Sequence, residues 1–317
     1  MMLGSPWLWV GFNALVLLML ALDLGVFHRK AHAVSIKEAT IWSVVWISLA
    51  LTFNAGIYFF MGKDPALEFL SGYLIEKALS VDNIFVFVLI FSYFKVPSEY
   101  QHRVLFWGVL GALAMRAVLI FVGASLISTF HWILYLFGAF LVITGIKMAT
   151  QKHEAMDPGN SFIVKLVRKF MPVSDKYDGQ KFLTIQNGKR FATPLLLVLV
   201  LVEASDLLFA VDSIPAIFAV THEPFLVYTS NVFAILGLRS LYFLLAGVVD
   251  KFRFLKLGLA AVLSFVGIKM LIVDLYKVPT PISLLVIFLI IMTSVVASLM
   301  IPEKKEPEGK EKAVAAD

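Results

Sequence analysis

Six carboxylates lie inside long apolar stretches of this chain: Asp23, Glu76, Asp82, Glu203, Asp206 and Asp212. A charge at the bilayer centre costs at least ~2.5–3.5 kcal/mol on insertion scales, so each needs a partner, a proton or a function. The basic residues that oppose them are Lys77, Arg116 and Arg239, which leaves three negative charges uncompensated if every group ionises. Purely structural ion pairs tend to balance, whereas a cation site stays in deficit until its cation arrives. Glu76 and Asn83 are seven apart and share a helix face, with Asp82 beside Asn83. Glu203, Asp206 and Ser213 share a face at intervals of three and seven. Asp212 points away from Glu203 on an ideal helix. Pro215, however, removes an N–H and frees the Val211 carbonyl, so a break there would bring Asp212 into the site. The candidate metal ligands are therefore Glu76, Asp82, Asn83, Glu203, Asp206, Asp212 and Ser213. Oxygen and amide donors without thiolate or central imidazole favour hard cations, Mn2+ first among the transition metals and Ca2+ or Mg2+ otherwise.

Further polar residues have supporting roles open to two readings. Asp23 either snorkels or contacts Arg29 near the inner end of its span, or joins the site. Lys77 is either part of the site or a plain ion-pair partner of Glu76. Asn54 and Asn231 either donate to the site or bridge helices. Arg116 and Arg239 are expected to hold carboxylates in the unloaded state.

The elements that must position these groups are membrane spans. Of 317 residues, 60% are hydrophobic and 15% charged, with a mean hydropathy of +0.89. Soluble domains run at roughly 45–50% apolar and 25% charged. Nine runs are long enough to cross a hydrocarbon core, which takes about 20 residues. They are Trp7 to Phe27, Ile41 to Phe60, Ala66 to Phe94, Val104 to Ile127, Trp132 to Met148, Thr193 to Val220, Phe225 to Val249, Leu257 to Leu275 and Ile282 to Ile301. They are continuous runs, not alternating strands, which excludes a barrel. With the N-terminus outside, the connecting segments hold twenty Lys and Arg inside against Lys63 and Lys277 outside. The net charge of +5 is thus a topology signal, and no nucleic-acid partner is expected. The expected fold is an all-α polytopic membrane protein, N-out and C-in. Its parts are two leading helices (1–65), a three-helix unit (66–149), a cytoplasmic loop (150–192), a second three-helix unit (193–276), a ninth helix (277–302) and a disordered tail (303–317). The loop predicts an interfacial amphipathic helix over Ser161 to Val173 and a hairpin turned at Asn187-Gly188.

The two three-helix units repeat. Ser80-Val-Asp-Asn-Ile resembles Ala210-Val-Asp-Ser-Ile, Gly111-Ala-Leu-Ala-Met-Arg116 resembles Ala234-Ile-Leu-Gly-Leu-Arg239, and Gly145-Ile-Lys-Met recurs at Gly267. The offsets are 130, 123 and 122 residues. An odd number of spans per unit turns the second copy upside down, giving a 3+3 inverted repeat of spans 3–5 and 6–8. That is the architecture of secondary transporters with midplane sites.

Tyr73-Leu-Ile-Glu-Lys-Ala-Leu-Ser-Val-Asp-Asn, Val202-Glu-Ala-Ser-Asp-Leu-Leu-Phe-Ala-Val-Asp-Ser-Ile-Pro and Thr229-Ser-Asn-Val-Phe-Ala-Ile-Leu-Gly-Leu-Arg resemble the signatures of the TerC family, most like its Alx branch. The resemblance implies a multi-pass protein of the bacterial inner membrane in the lysine-exporter-like superfamily. The family is associated by name with tellurium resistance and by assignment with Mn2+ export. Its acidic motif positions fall on Glu76, Asp82, Glu203, Asp206 and Asp212. The expected partners are lipid, a divalent metal ion and protons as counter-ion; protein partners are not identified. Mn2+ is the expected transported ion, with Ca2+ as the other candidate, and neither an organic cofactor nor an enzymatic activity is expected. The competing readings are a non-transporting scaffold for metalation of secreted proteins, a tellurium-resistance complex, and Ca2+ transport. On the leading reading Asp82→Asn or Asp212→Asn abolishes Mn2+ efflux.

Overall fold

The computed structural model describes residues 6–22, 34–130, 132–150, 159, 161–186, 188–246 and 254–301. Asp23 and the tail from 303 onward lie outside them. The chain is nearly all helical. The helices are α1 (Pro6–Leu22), α2 (Ile36–Met61), α3 (Lys63–Tyr93), α4 (Ser98–Thr129), α5 (Ile133–Thr150), α6 (Phe162–Phe170), α7 (Pro194–Phe218), α8 (Pro224–Leu236), α9 (Leu238–Leu245), α10 (Leu255–Leu271) and α11 (Thr280–Met300). Between α6 and α7, strands β1 (Leu183–Gln186) and β2 (Lys189–Ala192) pair antiparallel with Gln186 opposite Lys189.

Among the described residues five helices are, by length and composition, apolar enough to cross a membrane, namely α2, α4, α5, α7 and α11. The pair α8 and α9, bent by about 40°, makes a sixth if it counts as one span. α3 is the second longest helix at 31 residues, but its Lys63, Asp64, Glu68, Glu76, Lys77 and Asp82 dilute its apolar character. α1 and α10 have 17 residues each.

Two features differ from the expectation. α7 runs unbroken through Pro215. That proline lies in the last turn, three residues before the helix ends, so the lost N–H costs little continuity and Asp212 is not turned inward. The interruption falls instead in the next span, at Gly237 between α8 and α9.

The ends of the elements follow from local chemistry. Ser35 caps α2, its Oγ accepting from the Glu38 N–H at 3.2 Å in a Ser-x-x-Glu box. Gly62, at φ +103°, ends α2 and starts α3, a turn that a side chain would strain. In the loop, Ser161 caps α6, whose Val164 is buried while Phe162, Leu166 and Phe170 are exposed beside Lys165, Arg168 and Lys169. Tyr177 donates to the Phe94 carbonyl at 2.8 Å, tying the loop to the end of α3, and burial pushes its phenol up to about 12. Asp178 accepts from Thr184 and Lys181, which holds its carboxyl below the usual range.

The packing that positions the interior is close and antiparallel. A Cβ at Gly138 of α5 would lie 2.9 Å from the Gly267 carbonyl of α10, and one at Gly267 would lie 2.7 Å from the Gly138 carbonyl. Further along, Gly145 meets Ala260 and Ser264, so the two helices run in opposite directions. α3 and α7 also oppose each other, with Gly72 against Ile217 at one end and Asn83 against Asp206 at the other. Small residues let the backbones approach this closely, which is how helices associate where no hydrophobic force drives them. Gly267→Ala should therefore destabilise the protein by about 1–3 kcal/mol through overpacking, read as a lower denaturation midpoint in detergent.

Candidate cation site at the crossing of α3 and α7

Glu76 and Asn83 stand on one face of α3, two turns apart; Asp206 and Ser213 stand two turns apart on the facing surface of α7. Arg116 enters between them from α4, and Asn231 from α8. All six are buried, Asn231 completely and Arg116 to within 2%. Arg116 grips Asp206 with both arms of its fork, Nε to Oδ2 at 3.1 Å and Nη2 to Oδ1 at 2.7 Å. Its Nη1 donates to Glu76 Oε1 and, at longer range, to Asn231 Oδ1 (3.3 Å) and Ser213 Oγ (3.5 Å). Asn231 Nδ2 donates to Glu76 Oε2 at 3.2 Å, and Asn83 Nδ2 to Asp206 Oδ1 at 3.2 Å.

Two carboxylates against one guanidinium leave this cluster one negative charge in excess when all ionise. Its donors are carboxylate, amide and hydroxyl oxygens. One of them is unsatisfied: Asn83 Oδ1 is buried with no hydrogen-bond partner, because the amide's other end is committed to Asp206. A buried acceptor left unmade costs about 1–3 kcal/mol, so this unpartnered oxygen beside the cluster calls for an explanation.

Of the seven expected ligands, the structure brings Glu76, Asn83, Asp206 and Ser213 together and keeps three apart. Glu203, one turn from Asp206, is half-buried against Gly111 of α4, where a Cβ would collide with its carboxylate, and its Oε2 is buried without a partner. Asp82 is half-buried beside Asn83 but not on its face. Asp212 is half-buried on the α5 side, accepting from Thr144 Oγ1 at 3.3 Å. Among the described residues no three His, Asp or Glu converge closely enough to hold an ion, and the Arg116 guanidinium bridges Glu76 and Asp206.

The supporting residues divide as well. Arg116 and Asn231 are central. Lys77 does not pair with its neighbour Glu76: successive residues point about 100° apart on a helix, and Lys77 Nζ donates instead to the Ala234 carbonyl of α8 at 3.2 Å. Asn54, on α2, is half-buried with an unpartnered buried Oδ1 and lies outside the cluster's hydrogen bonds. Arg239 is buried on α9 and, with Asp206, lines a narrow hollow of about 10 Å3, room for about one water. Thr144, which partners Asp212, went unnoticed in the sequence, where a lone threonine in an apolar span carries no distinguishing signal.

The chain matches the integral membrane protein TerC family over residues 61–306, which include every member of this cluster. It belongs to the TerC family. It is 58% identical to an uncharacterized membrane protein of Myxococcus xanthus, covering 94% of this chain and 93% of that one. It is 52% identical to a protein of Escherichia coli K12 provisionally named membrane-bound redox modulator Alx, over 92% of this chain and 94% of the relative. The corresponding Salmonella typhi protein is 50% identical, over 96% and 97%. No solved structure matches.

In this family member the geometry makes Arg116 the counter-ion of both central acids. Removing one partner of a buried pair costs about 3–5 kcal/mol. Arg116→Met should therefore lower stability in detergent at neutral pH by that amount. Adding Glu76→Gln and Asp206→Asn should recover most of the loss, because no unpaired charge remains.

Proposed function

We propose that this protein is a secondary transporter that exports a divalent metal ion, Mn2+ foremost, across the bacterial inner membrane. Its cargo site is the Glu76–Asp206 pair. The observation that carries the reading is the buried Glu76–Arg116–Asp206 cluster with the free Asn83 carbonyl oxygen beside it. The guanidinium stands where a cation would, with one positive charge facing two negative ones. A divalent ion replacing it would match both carboxylates and gain Asn83 Oδ1 and Ser213 Oγ as further oxygen donors, a set suited to a hard cation.

The full architecture of the proposal has nine spans, N-out and C-in, with α1, α3 and α10 crossing in addition to the helices above. α3–α5 and α7–α10 are its inverted halves. The antiparallel crossings of α3 with α7 and of α5 with α10 support it, since corresponding helices must oppose each other when one unit is upside down. The contacts themselves correspond. Adding 122 turns the Gly138–Gly267 contact into Ala260 and, subtracting it from the second member, Gly145, the pair that also meets. Likewise Asn83–Asp206 maps, with an offset of 130, onto Ser213–Glu76, both of which bond Arg116.

Outward movement of a divalent cation against an inside-negative potential costs about 4.6 kcal/mol per 100 mV. No phosphate-binding loop is present to couple it to a nucleotide. Protons competing for the same carboxylates supply the exchange. The redox role in the name of some relatives has no thiol to act through here, as the chain lacks cysteine. The reading is of a carrier and not an enzyme.

The test is Mn2+ flux by the purified protein in liposomes, with and without a pH gradient. Flux without any partner, faster with an opposing proton gradient, is expected. Glu76→Gln and Asp206→Asn should abolish it. Asp82→Asn and Asp212→Asn, which stand off the centre in this state, should slow it without abolishing it. Unchanged flux in the two central variants would remove the site assignment; no flux by the pure chain would favour the scaffold, and Ca2+ outcompeting Mn2+ would reassign the cargo.

A further inference from the structure

The two halves of the site are not in the same state. α4 carries Arg116 as one unbroken helix, whereas its counterpart is broken at Gly237, two residues before Arg239, and bends there by about 40°. The first half has nothing equivalent: Gly237 less 123 is Ala114, inside continuous α4. Arg116 is folded onto both central acids, while Arg239 lines the small hollow together with Asp206.

The hollow has a cause. Asn231 of the second half fills the space beside Glu76 and bonds it, but 231 less 123 is Gly108, which has no side chain and lines the hollow beside Asp206. On the opposite side the packing is shut, with Gly72 so close to α8 that a Cβ there would be 2.8 Å from Ser230 Oγ.

One residue holds the broken half in place. In an unbroken helix the Ala234 carbonyl would accept from the Leu238 N–H, four residues on. Here it accepts from Lys77 Nζ, and the ammonium fills the notch at Gly237, where a Cβ would be 2.7 Å from it. Lys77 plus 130 is Leu207, exposed and apolar, so no such cap exists for α4.

We propose that Arg239 is the second counter-ion of the Glu76–Asp206 pair, replacing Arg116 when the protein opens to its other side, and that Lys77 selects between them by capping the Ala234 carbonyl at the Gly237 break. Exchange of conformations between the halves straightens the second helix, swings Arg239 across the hollow onto Asp206 and Glu76, and withdraws Arg116. The pair is never left bare: one arginine covers it in each resting state, and the cargo cation covers it between them. Lys77 and Arg239 are positioning residues in this scheme, and the inference rests on the transporter reading above.

The chain has no cysteine, so single reporters can be placed cleanly. Val232, next to Asn231 in α8, is buried in the closed packing. In membrane vesicles of defined orientation, Val232→Cys should be protected from a small impermeant methanethiosulfonate. Lys77→Met should speed modification of Val232→Cys from the outer side by about tenfold or more, the equivalent of one hydrogen bond to a charged group. Adding Arg239→Met should cancel that gain, and Arg239→Lys should restore part of it. Arg239→Gln replaces the Met variant if that one does not insert. Equal labelling of Val232→Cys with and without the Arg239 charge in the Lys77→Met background overturns the exchange. Mn2+ flux by the parent chain, measured separately, tells that failure from failure of the transporter reading.

Discussion

Everything around the interior of this protein is arranged to make one buried guanidinium tolerable. Arg116 sits almost wholly out of water, where an isolated charge would be prohibitive, and it is held because Asp206 takes its fork with two bonds while Glu76 takes the third N–H direction. The amides of Asn83 and Asn231 complete the ring by donating to the same carboxylates. Each helix of the centre contributes a piece, α3 and α7 the acids, α4 the base, α8 an amide. The crossing of these four helices and the charge cluster are one interaction seen from two sides.

That constraint fixes what the surrounding packing must be. Polar side chains meet at the centre only if the backbones come close, and the approach is supplied by glycine at Gly72, Gly108 and Gly111, and at Gly138 and Gly267 on the flanking pair. Gly111 illustrates the coupling: its missing side chain is the space in which the Glu203 carboxylate lies. Small residues here carry the geometry that the charged ones need, and neither set would be stable in apolar surroundings without the other.

Much of this was legible in the residues alone, for reasons of period and cost. Five spans, and a sixth at the bent α8–α9 pair, were visible because apolar runs near 20 residues read as membrane-crossing. The pairing of Glu76 with Asn83 and of Asp206 with Ser213 followed from a seven-residue interval. Which acids join was not legible. Asp82 neighbours Asn83 in sequence but lies about 100° around the helix, and Asp212 needed a break at Pro215 that the last turn of α7 absorbs. The break at Gly237 was hidden for the opposite reason. Glycine within an apolar run reads as helix packing, and only the long-range contact of Lys77 with Ala234 distinguishes an interrupted span from a straight one.

Lys77 also settles the charge of the centre. A lysine beside a buried glutamate invites an ion pair, and had it formed, two bases would have balanced two acids and the cluster would have been neutral and closed. Helical geometry turns the ammonium toward α8, where a backbone carbonyl at a helix break takes it up. The break therefore does two things with a single charge. It satisfies its own loosened carbonyl, and it turns the ammonium's hydrogen bond away from Glu76, so that Arg116 is the base bonded to both central acids. On the proposed reading the two acids sharing one bonded base are what favours loading, and the bend and the affinity of the site are then coupled through the same side chain.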